Sequence, residues 1–246
     1  MKIFTSILVW SSGILFMVVL FPVTFIIWLL ALPFDRNRIV IHRLLLAQSN
    51  LITRLIWKIN IEGKEKSKRG TTYVIISNHQ SLADILVLNC LGYDFKWISK
   101  IENTKVPVLG WYLKMAGYIT VDRGDEASKA EMLVRSFKSL KNGNSIMIFP
   151  EGTRSHNGQP GYFKRGAFQL AIDAGVPILP IVIDGTGDIL HKHGLILKAN
   201  HSIRLQVLDP VPPSLFGTVN PEELAARFRD LTATALKELR AKSFQR

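Results

Sequence analysis

The first 34 residues of the chain are almost entirely apolar. Residues 3–34 contain no charged side chain and are interrupted by Ser11, Ser12, Gly13 and Pro22. A helix crosses the bilayer core with about 20 apolar residues, so this run is too long for one upright span and too short for two. It predicts either one long tilted helix or a helical hairpin that dips into one leaflet. A cleaved signal peptide is disfavoured because the apolar core is long and no small-residue cleavage motif follows it.

A basic, amphipathic stretch follows the apolar run. From Arg36 to Lys58, basic residues are interleaved with large apolar ones. This pattern predicts a helix in the membrane interface, with its basic side chains toward anionic headgroups. An ordinary surface helix of a globular domain is the alternative. The basic flank predicts that this side of the membrane is cytoplasmic. We assign residues 1–65 to an N-terminal membrane-associated helical segment.

Residues 66–246 alternate between strand-like and helix-like patterns. Short apolar runs predict strands at 72–77, 95–99, 117–123, 145–149, 176–183 and 202–208, and amphipathic patterns predict helices at 81–91, 125–143, 163–175 and from about Asn220 onward. Two prolines in 176–183 predict an edge strand or an irregular one. The alternation predicts an α/β domain with a mainly parallel or mixed sheet flanked by helices. Functional groups are then expected at the carboxyl ends of strands.

The first polar motif, NHQSLAD, directly follows the strand at 72–77. A histidine such as His79 accepts a proton near neutral pH, and a carboxylate on its other ring nitrogen fixes the tautomer. Five helical residues turn through about 500°, so His79 and Asp84 would diverge within one regular helix. They meet only if His79 precedes the helix and Asp84 lies in its first turn, with Ser81 as the N-cap residue.

The chain lacks the usual context for an enzyme nucleophile. It has no G-x-S-x-G motif, and its single cysteine, Cys90, lies in an apolar run typical of a buried thiol. A histidine–aspartate pair without a nucleophile predicts that the substrate supplies a hydroxyl. We therefore expect His79 to act as a general base on that hydroxyl.

The second polar motif, FPEGTRS at residues 149–155, follows the strand at 145–149. Gly152 allows the backbone to approach a ligand closely, Arg154 can fork onto a phosphate, and Thr153 can donate a hydroxyl hydrogen bond. Glu151 could position a ligand hydroxyl or hold Arg154. The motif predicts an anion site that differs from a Walker loop. A surface turn with a structural ion pair is the alternative.

Together these motifs resemble the conserved blocks of the glycerolipid acyltransferase family, and in particular its 1-acylglycerol-3-phosphate acyltransferases. NHQSLAD resembles the first block and FPEGTRS the third. The second block resembles the stretch from Lys100 through Pro107, Gly110, Trp111 and Gly117 to Asp122 and Arg123, and the fourth resembles VPILPIVI with Pro177 and Pro180. All four occur in the family's order.

The resemblance implies specific roles for the residues. His79 and Asp84 correspond to a catalytic dyad, and Lys100 and Arg154 to contacts with the acceptor phosphate. Glu151, Gly152 and Thr153 help to form the glycerol-phosphate pocket. The implied reaction moves a fatty acyl chain from acyl-CoA or acyl carrier protein to the free hydroxyl of lysophosphatidate, without a cofactor or a metal. The family's N-terminal motif lies in one leaflet rather than crossing the membrane, which favours the hairpin over the single span.

Other functions remain open at this stage. The acceptor could be another lysophospholipid, glycerol 3-phosphate or a lyso-aminolipid, and water as acceptor would make the protein a thioesterase. The net charge of +12 also suits a membrane-tethered nucleic-acid-binding protein, although no recognisable nucleic-acid motif is present. We therefore expect a lysophospholipid, an acyl thioester and the membrane surface as partners, and no nucleic acid. The HKH stretch at 191–193 is interpreted as a loop rather than a metal site.

Overall fold

The computed structural model describes residues 2–190, 194, 196–198 and 201–242. The HKH stretch lies outside these residues. The helices are α1 (Lys2–Ala31), α2 (Ile39–Ile56), α3 (Ala83–Asn89), α4 (Leu109–Met115), α5 (Glu126–Lys141), α6 (Gly166–Ala174), α7 (Thr186–Ile189) and α8 (Pro221–Ala241). The strands are β1 (Lys58–Glu62), β2 (Val74–Ser77), β3 (Phe95–Lys100), β4 (Ile119–Val121), β5 (Ser145–Ile148), β6 (Ile178–Asp184) and β7 (Ser202–Val207). Short 3-10 helices span Lys64–Lys66, Ile101–Lys105 and Pro213–Leu215.

The described strands form one mixed sheet in the order β1-β7-β6-β2-β5-β3-β4. Strands β6, β2, β5, β3 and β4 run parallel to one another, and β7 pairs with β6 in the antiparallel direction. The predicted α/β fold with a mainly parallel or mixed sheet is therefore confirmed. Strand β1, which pairs with β7 at the edge, was not predicted, and it falls within residues 1–65. The domain boundary at residue 65 stays a prediction.

Strand β6 corrects one expectation about the sheet. It lies between β7 and β2 and is buried along its whole length, so it is not an edge strand. The irregularity expected from its prolines is present. Regular pairing with β7 stops at the pair Ile181–Val207, and the next bridge joins Ile178 to Val211. The segment that follows β7 therefore has one more residue between these two bridges than β6 has, opposite Pro180. A proline is tolerated there because it need not donate to the ladder.

Both faces of the sheet are covered, as a largely parallel sheet requires. Alternate residues of β2 point to opposite faces, so Ile75 joins one core and Val74 and Ile76 join the other. The first core includes residues of α2, α3 and α4 together with one side of α1. The second core lies under α5, α6 and α8.

Helix α1 is continuous, so the apolar run does not fold into a hairpin by itself. It has 30 residues and is about 45 Å long. The hydroxyls of Ser11 and Ser12 donate to the carbonyls of Leu8 and Val9, so these residues stay within the helix. The helical hairpin forms instead between α1 and α2, where the Gln48 amide donates to Thr24 Oγ1 over 2.9 Å.

One side of α1 rests on the α/β domain, and the other is exposed. Near its start, Ser6 Oγ accepts from the backbone N–H of Leu197 over 2.9 Å, and in its middle the carbonyl of Met17 accepts from the Tyr112 hydroxyl over 2.9 Å. The opposite side is an exposed apolar stripe, which we define as Ile3, Phe4, Ile7, Leu8, Ile14, Leu15, Val18, Val19, Val23, Ile26, Leu29 and Leu30. By length and composition, residues 6–31 of α1 and the whole of α2 could each cross a membrane. These apolar helices indicate membrane association.

Candidate active site

The sequence motifs converge at one edge of the sheet. Strands β2, β5, β3 and β4 are parallel, so their carboxyl ends lie on the same side. NHQSLAD follows β2, and FPEGTRS follows the adjacent strand β5. Strand β2 has β5 on one side and β6 on the other, so the chain passes from one side of β2 to the other between β5 and β6. The strand order therefore reverses at β2. Open α/β sheets bind ligands at such points.

His79 and Asp84 form the closest polar contact of the first motif. His79 precedes α3 and Asp84 is the second residue of that helix, which is the arrangement that the spacing required. Asp84 Oδ2 lies 2.7 Å from His79 Nδ1 and also accepts the backbone N–H groups of Gln80 and Ser81. The Asp84 side chain is fully buried. This contact fixes the imidazole and leaves Nε2 as the nitrogen that can exchange a proton.

The predicted helix cap is wrong in detail. The N-cap residue of α3 is Leu82, and it makes no side-chain capping bond. Ser81 Oγ does accept from the N–H of Ala83 over 3.3 Å, and it donates to the carbonyl of Leu190. The carboxylate of Asp84 accepts the backbone N–H groups of Gln80 and Ser81, which precede the helix. The Ser81 hydroxyl instead connects this turn to Leu190 at the end of α7.

The FPEGTRS motif holds His79 from three directions. The Phe149 ring stacks on the imidazole, with centroids 3.9 Å apart and the planes 10° from parallel. Glu151 Oε1 accepts the backbone N–H of His79 over 2.9 Å, and the N–H of Ser155 donates to the His79 carbonyl over 2.7 Å. The pairing of Ile76 with Ile148 brings the two motifs together. Both backbone polar groups of His79 are therefore occupied by one neighbouring loop.

Asn78 and Gln80, on either side of His79, anchor the loop to β6. The Asn78 side chain donates to the carbonyl of Ile183 and accepts from its N–H, each over 2.9 Å. Gln80 Nε2 donates to the same carbonyl over 3.2 Å and to the carbonyl of Gly158 over 3.3 Å. The turn that carries His79 is thus tied to both strands adjacent to β2.

Glu151 is buried, and both of its carboxylate oxygens accept backbone hydrogen bonds. Oε1 accepts from His79 and Oε2 accepts from Gly161, each over 2.9 Å. Desolvation raises the pKa of the Glu151 carboxyl group, and the two backbone hydrogen bonds and the nearby His79 partly oppose that rise. The suggestion that Glu151 holds Arg154 is wrong, because no ion pair joins them.

Gly152, Thr153 and Arg154 form the turn that follows Glu151. Gly152 has φ of 68°, which favours glycine, and a Cβ there would lie 3.0 Å from Lys164 Nζ. Thr153 is exposed and Arg154 is half-buried. Within the described part of the chain, the Arg154 guanidinium has no hydrogen bond or ion pair. Its donors are therefore available to a ligand at this turn.

The second block adds two basic residues at the same edge. Lys100 ends β3, is exposed, and pairs with Glu102 at 2.6 Å. Arg123 follows β4, and its Nη1 donates to the carbonyl of Gly152 over 2.6 Å. Arg123 is exposed overall, and partial desolvation of its guanidinium lowers its pKa. No local sequence pattern indicated this role for Arg123, because its contact with Gly152 depends on the neighbouring positions of β4, β3 and β5.

One acceptor atom in the site has no partner. Asp84 Oδ1 is buried and accepts no hydrogen bond from the described residues, whereas Oδ2 accepts from three groups. Buried polar atoms are satisfied in the great majority of cases, and exceptions are frequent at functional sites. The imidazole and the two backbone N–H groups therefore share Oδ2, and Oδ1 has no donor among the described residues.

Comparison with known proteins supports the family resemblance. The Acyltransferase family profile matches residues 58–184, which is more than half of the chain. The chain is 40% identical over 182 residues to the chloroplastic 1-acyl-sn-glycerol-3-phosphate acyltransferase BAT2 of Brassica napus, covering 73% of this chain and 53% of that protein. It is 33% identical over 186 residues to the human 1-acyl-sn-glycerol-3-phosphate acyltransferase alpha, covering 74% of this chain and 65% of that protein.

The likeness extends to a solved structure. The crystal structure of the 1-acyl-sn-glycerophosphate acyltransferase PlsC from Thermotoga maritima superposes with a TM-score of 0.80 at 25% identity and covers 98% of both chains. The chain spans about half the length of the plant chloroplastic relatives that it matches. The predicted family is therefore confirmed, and the chain belongs to the acyltransferase family.

Proposed function

We propose that this protein transfers a fatty acyl chain from an acyl thioester, either acyl-CoA or acyl carrier protein, to the free hydroxyl of lysophosphatidate and so forms phosphatidate. The contact of 2.7 Å between His79 and Asp84 carries the proposal, because it leaves one imidazole nitrogen free beside a basic turn. Relatives named as 1-acyl-sn-glycerol-3-phosphate acyltransferases support the choice of acceptor.

In the proposed reaction, His79 acts as the general base. Asp84 accepts a hydrogen bond from Nδ1–H, which keeps that proton on Nδ1 and leaves Nε2 unprotonated and able to take the proton of the acceptor hydroxyl. The acceptor oxygen forms a bond to the thioester carbonyl carbon and produces a tetrahedral species. That species collapses as the carbon–sulfur bond breaks, and the proton on His79 passes to the leaving thiolate. The products are the diacylated lipid and a free thiol.

The acceptor phosphate would be held by basic residues at the same edge of the sheet. We assign its contacts to Arg154, whose donors have no protein partner, and to Lys100, whose exposed ion pair with Glu102 is readily exchanged. Gly152 and Thr153 would line the glycerol-phosphate pocket, with Glu151 as part of its wall. Arginine is suited to this task because its planar fork matches phosphate oxygens.

The protein would bind the membrane from the cytoplasmic face without crossing it. The domain contacts α1 near its start, at Ser6, and also in its second half, where the Phe21 ring packs edge-on against Tyr112 of α4. A helix that crossed the bilayer would carry one of these contacts to the far side. A helix held along the domain can instead place its exposed apolar stripe in one leaflet. The basic residues that follow α1 favour the cytoplasmic face.

Product analysis would test the proposal directly. The detergent-purified protein would be given labelled acyl-CoA or acyl carrier protein with lysophosphatidate, and products would be identified by mass for the wild type, His79→Ala and the control His201→Ala. We expect phosphatidate from the wild type and the control, and none from His79→Ala. Free fatty acid as the only product would identify a thioesterase. Transfer only to another lysolipid, glycerol 3-phosphate or a lyso-aminolipid would replace the acceptor.

A further inference from the structure

Glu151 connects the two loops that border the candidate active site. It follows β5, is 5% exposed, and uses one carboxylate oxygen for the N–H of His79 and the other for the N–H of Gly161. A Cβ at Gly161 would lie 3.1 Å from Glu151 Oε2, so a glycine allows this close approach. The carboxylate thus spans the gap between the His79 loop and the loop at residues 156–162.

Both carboxylate oxygens of Glu151 already accept backbone hydrogen bonds, which disfavours a direct contact with a substrate. Charge-assisted hydrogen bonds to backbone N–H groups are about twice as strong as neutral ones, so exchanging either of them for a ligand hydroxyl would be unfavourable. Glu151 and Ser155 also act on the same residue, one on the N–H and the other on the carbonyl of His79. The backbone of His79 is therefore fixed by the loop from β5, independently of Asp84.

We propose that Glu151 is a positioning residue, which holds the backbone of His79 and Gly161 and thereby sets the imidazole and the adjacent wall of the acceptor pocket. The inference rests on the proposed role of His79 as general base. The titratable groups that act on Glu151 are His79 and Asp84. Its negative charge also favours the imidazolium that forms when His79 takes a proton.

Two substitutions distinguish the effect of the length of the Glu151 side chain from the effect of its charge. Glu151→Gln keeps the length but replaces one acceptor oxygen by an NH₂ group, which faces a backbone donor. Glu151→Asp keeps the charge but is one methylene shorter and cannot reach both N–H groups. Glu223→Gln is the matched control, because Glu223 is exposed on α8 and pairs only with Arg227 in the described contacts.

We expect Glu151→Gln to lower kcat by about 10²-fold with the acceptor KM within about threefold of the wild type, as a misplaced base would. The acid limb of its pH–rate profile should move to lower pH by roughly half a unit or more, because a negative charge near the imidazolium is lost. Glu151→Asp should lower kcat and leave the limb in place. A higher acceptor KM with unchanged kcat would overturn the proposal in favour of direct substrate contact.

A readout without substrate keeps this inference separate from the proposed function. The imidazole titration of His79 would be followed by NMR in detergent micelles, with its signal assigned by its loss in His79→Ala. We expect a lower pKa for His79 in Glu151→Gln and no change in Glu223→Gln. If these two titration results were found in a protein without acyl-transfer activity, they would support the positioning role of Glu151 and reject the proposed function. An active wild type with the titration and kcat unchanged in Glu151→Gln would reject the positioning role.

Discussion

Among single residues, Arg154 has the clearest binding role to test. Arg154 is half-buried in the turn that begins at Gly152, and its guanidinium has no partner in the described part of the chain. A hydrogen bond to a charged group contributes about 1.5–3 kcal/mol, so Arg154→Ala should raise the acceptor KM by roughly 10- to 100-fold. The kcat should change by less than about threefold, because binding to a phosphate remote from the reacting atoms is equal in the ground and transition states.

The control for Arg154 is an arginine within a helix rather than in the loops that border the site. Arg135→Ala on α5 removes a side chain whose only described ion pair is a weak one at 4.0 Å with Glu131. Its acceptor KM should equal that of the wild type in the same steady-state assay. If Arg154→Ala also left the acceptor KM unchanged, Arg154 would have no role in binding the phosphate.

The residues of the site differ in how far the sequence could predict their contacts. The spacing of His79 and Asp84 allowed them to meet only if His79 preceded the helix and Asp84 lay in its first turn, and the structure has this arrangement. The bond from Glu151 to the N–H of His79 joins residues 72 positions apart, and it exists because β2 and β5 are neighbours. Arg123 likewise reaches Gly152 across strands. Contacts of this kind depend on strand order, which local patterns do not specify.

For helices and strands, the sequence predicted most boundaries to within a few residues. The predictions failed where a tertiary contact satisfied a residue that is locally unfavourable in a helix or strand. Helix α8 begins at Pro221 after the cap Asn220, as its sequence indicated. The interruption at Ser11 and Ser12 did not break α1, because each hydroxyl is satisfied by a carbonyl of the preceding turn. Pro180 occupies an interior strand because its neighbour β7 diverges at that point. These outcomes depend on partners that composition alone does not reveal.

The exposed apolar stripe of α1 predicts where the membrane binds. Val19 is 60% exposed on this stripe, and Val19→Lys would bring a charge into the lipid. A lysine at the centre of a spanning helix costs about 2.5–3.5 kcal/mol on insertion scales, and the cost falls toward the interface. We therefore expect the affinity for anionic phospholipid vesicles, measured by sedimentation, to fall by roughly tenfold or more.

A valine on a helix of the α/β domain provides the matched control. Val134 on α5 is 67% exposed, so Val134→Lys adds the same charge to an equally exposed position away from α1. Its vesicle binding should remain at the wild-type level or rise slightly through attraction to anionic lipid. Equal losses in the two variants would contradict a membrane surface formed by the stripe of α1.

For the whole molecule, an ion-pair network joins the C-terminal helix to the sheet and the candidate site. Asp184 ends β6 and accepts from Arg204 of β7 through one oxygen and from Arg240 of α8, over 2.8 Å, through the other. Arg240 Nη2 also donates to the carbonyl of Gly158, which in turn accepts from Gln80. The last helix is thus connected to the residue that follows His79.

This connection predicts that Asp184→Ala destabilises the fold and loosens the site together. The substitution leaves two arginines without their shared carboxylate in a largely buried position, at a cost of about 3 kcal/mol, which lowers the melting temperature by roughly 6–12 °C. Asp230→Ala removes an exposed partner of Arg229 and should change the free energy of unfolding by less than about 0.5 kcal/mol. Because Arg240 also holds Gly158, kcat per folded molecule should fall in the Asp184 variant alone. A melting temperature equal to that of the Asp230 variant would show that α8 is held by its apolar face and that the network contributes little.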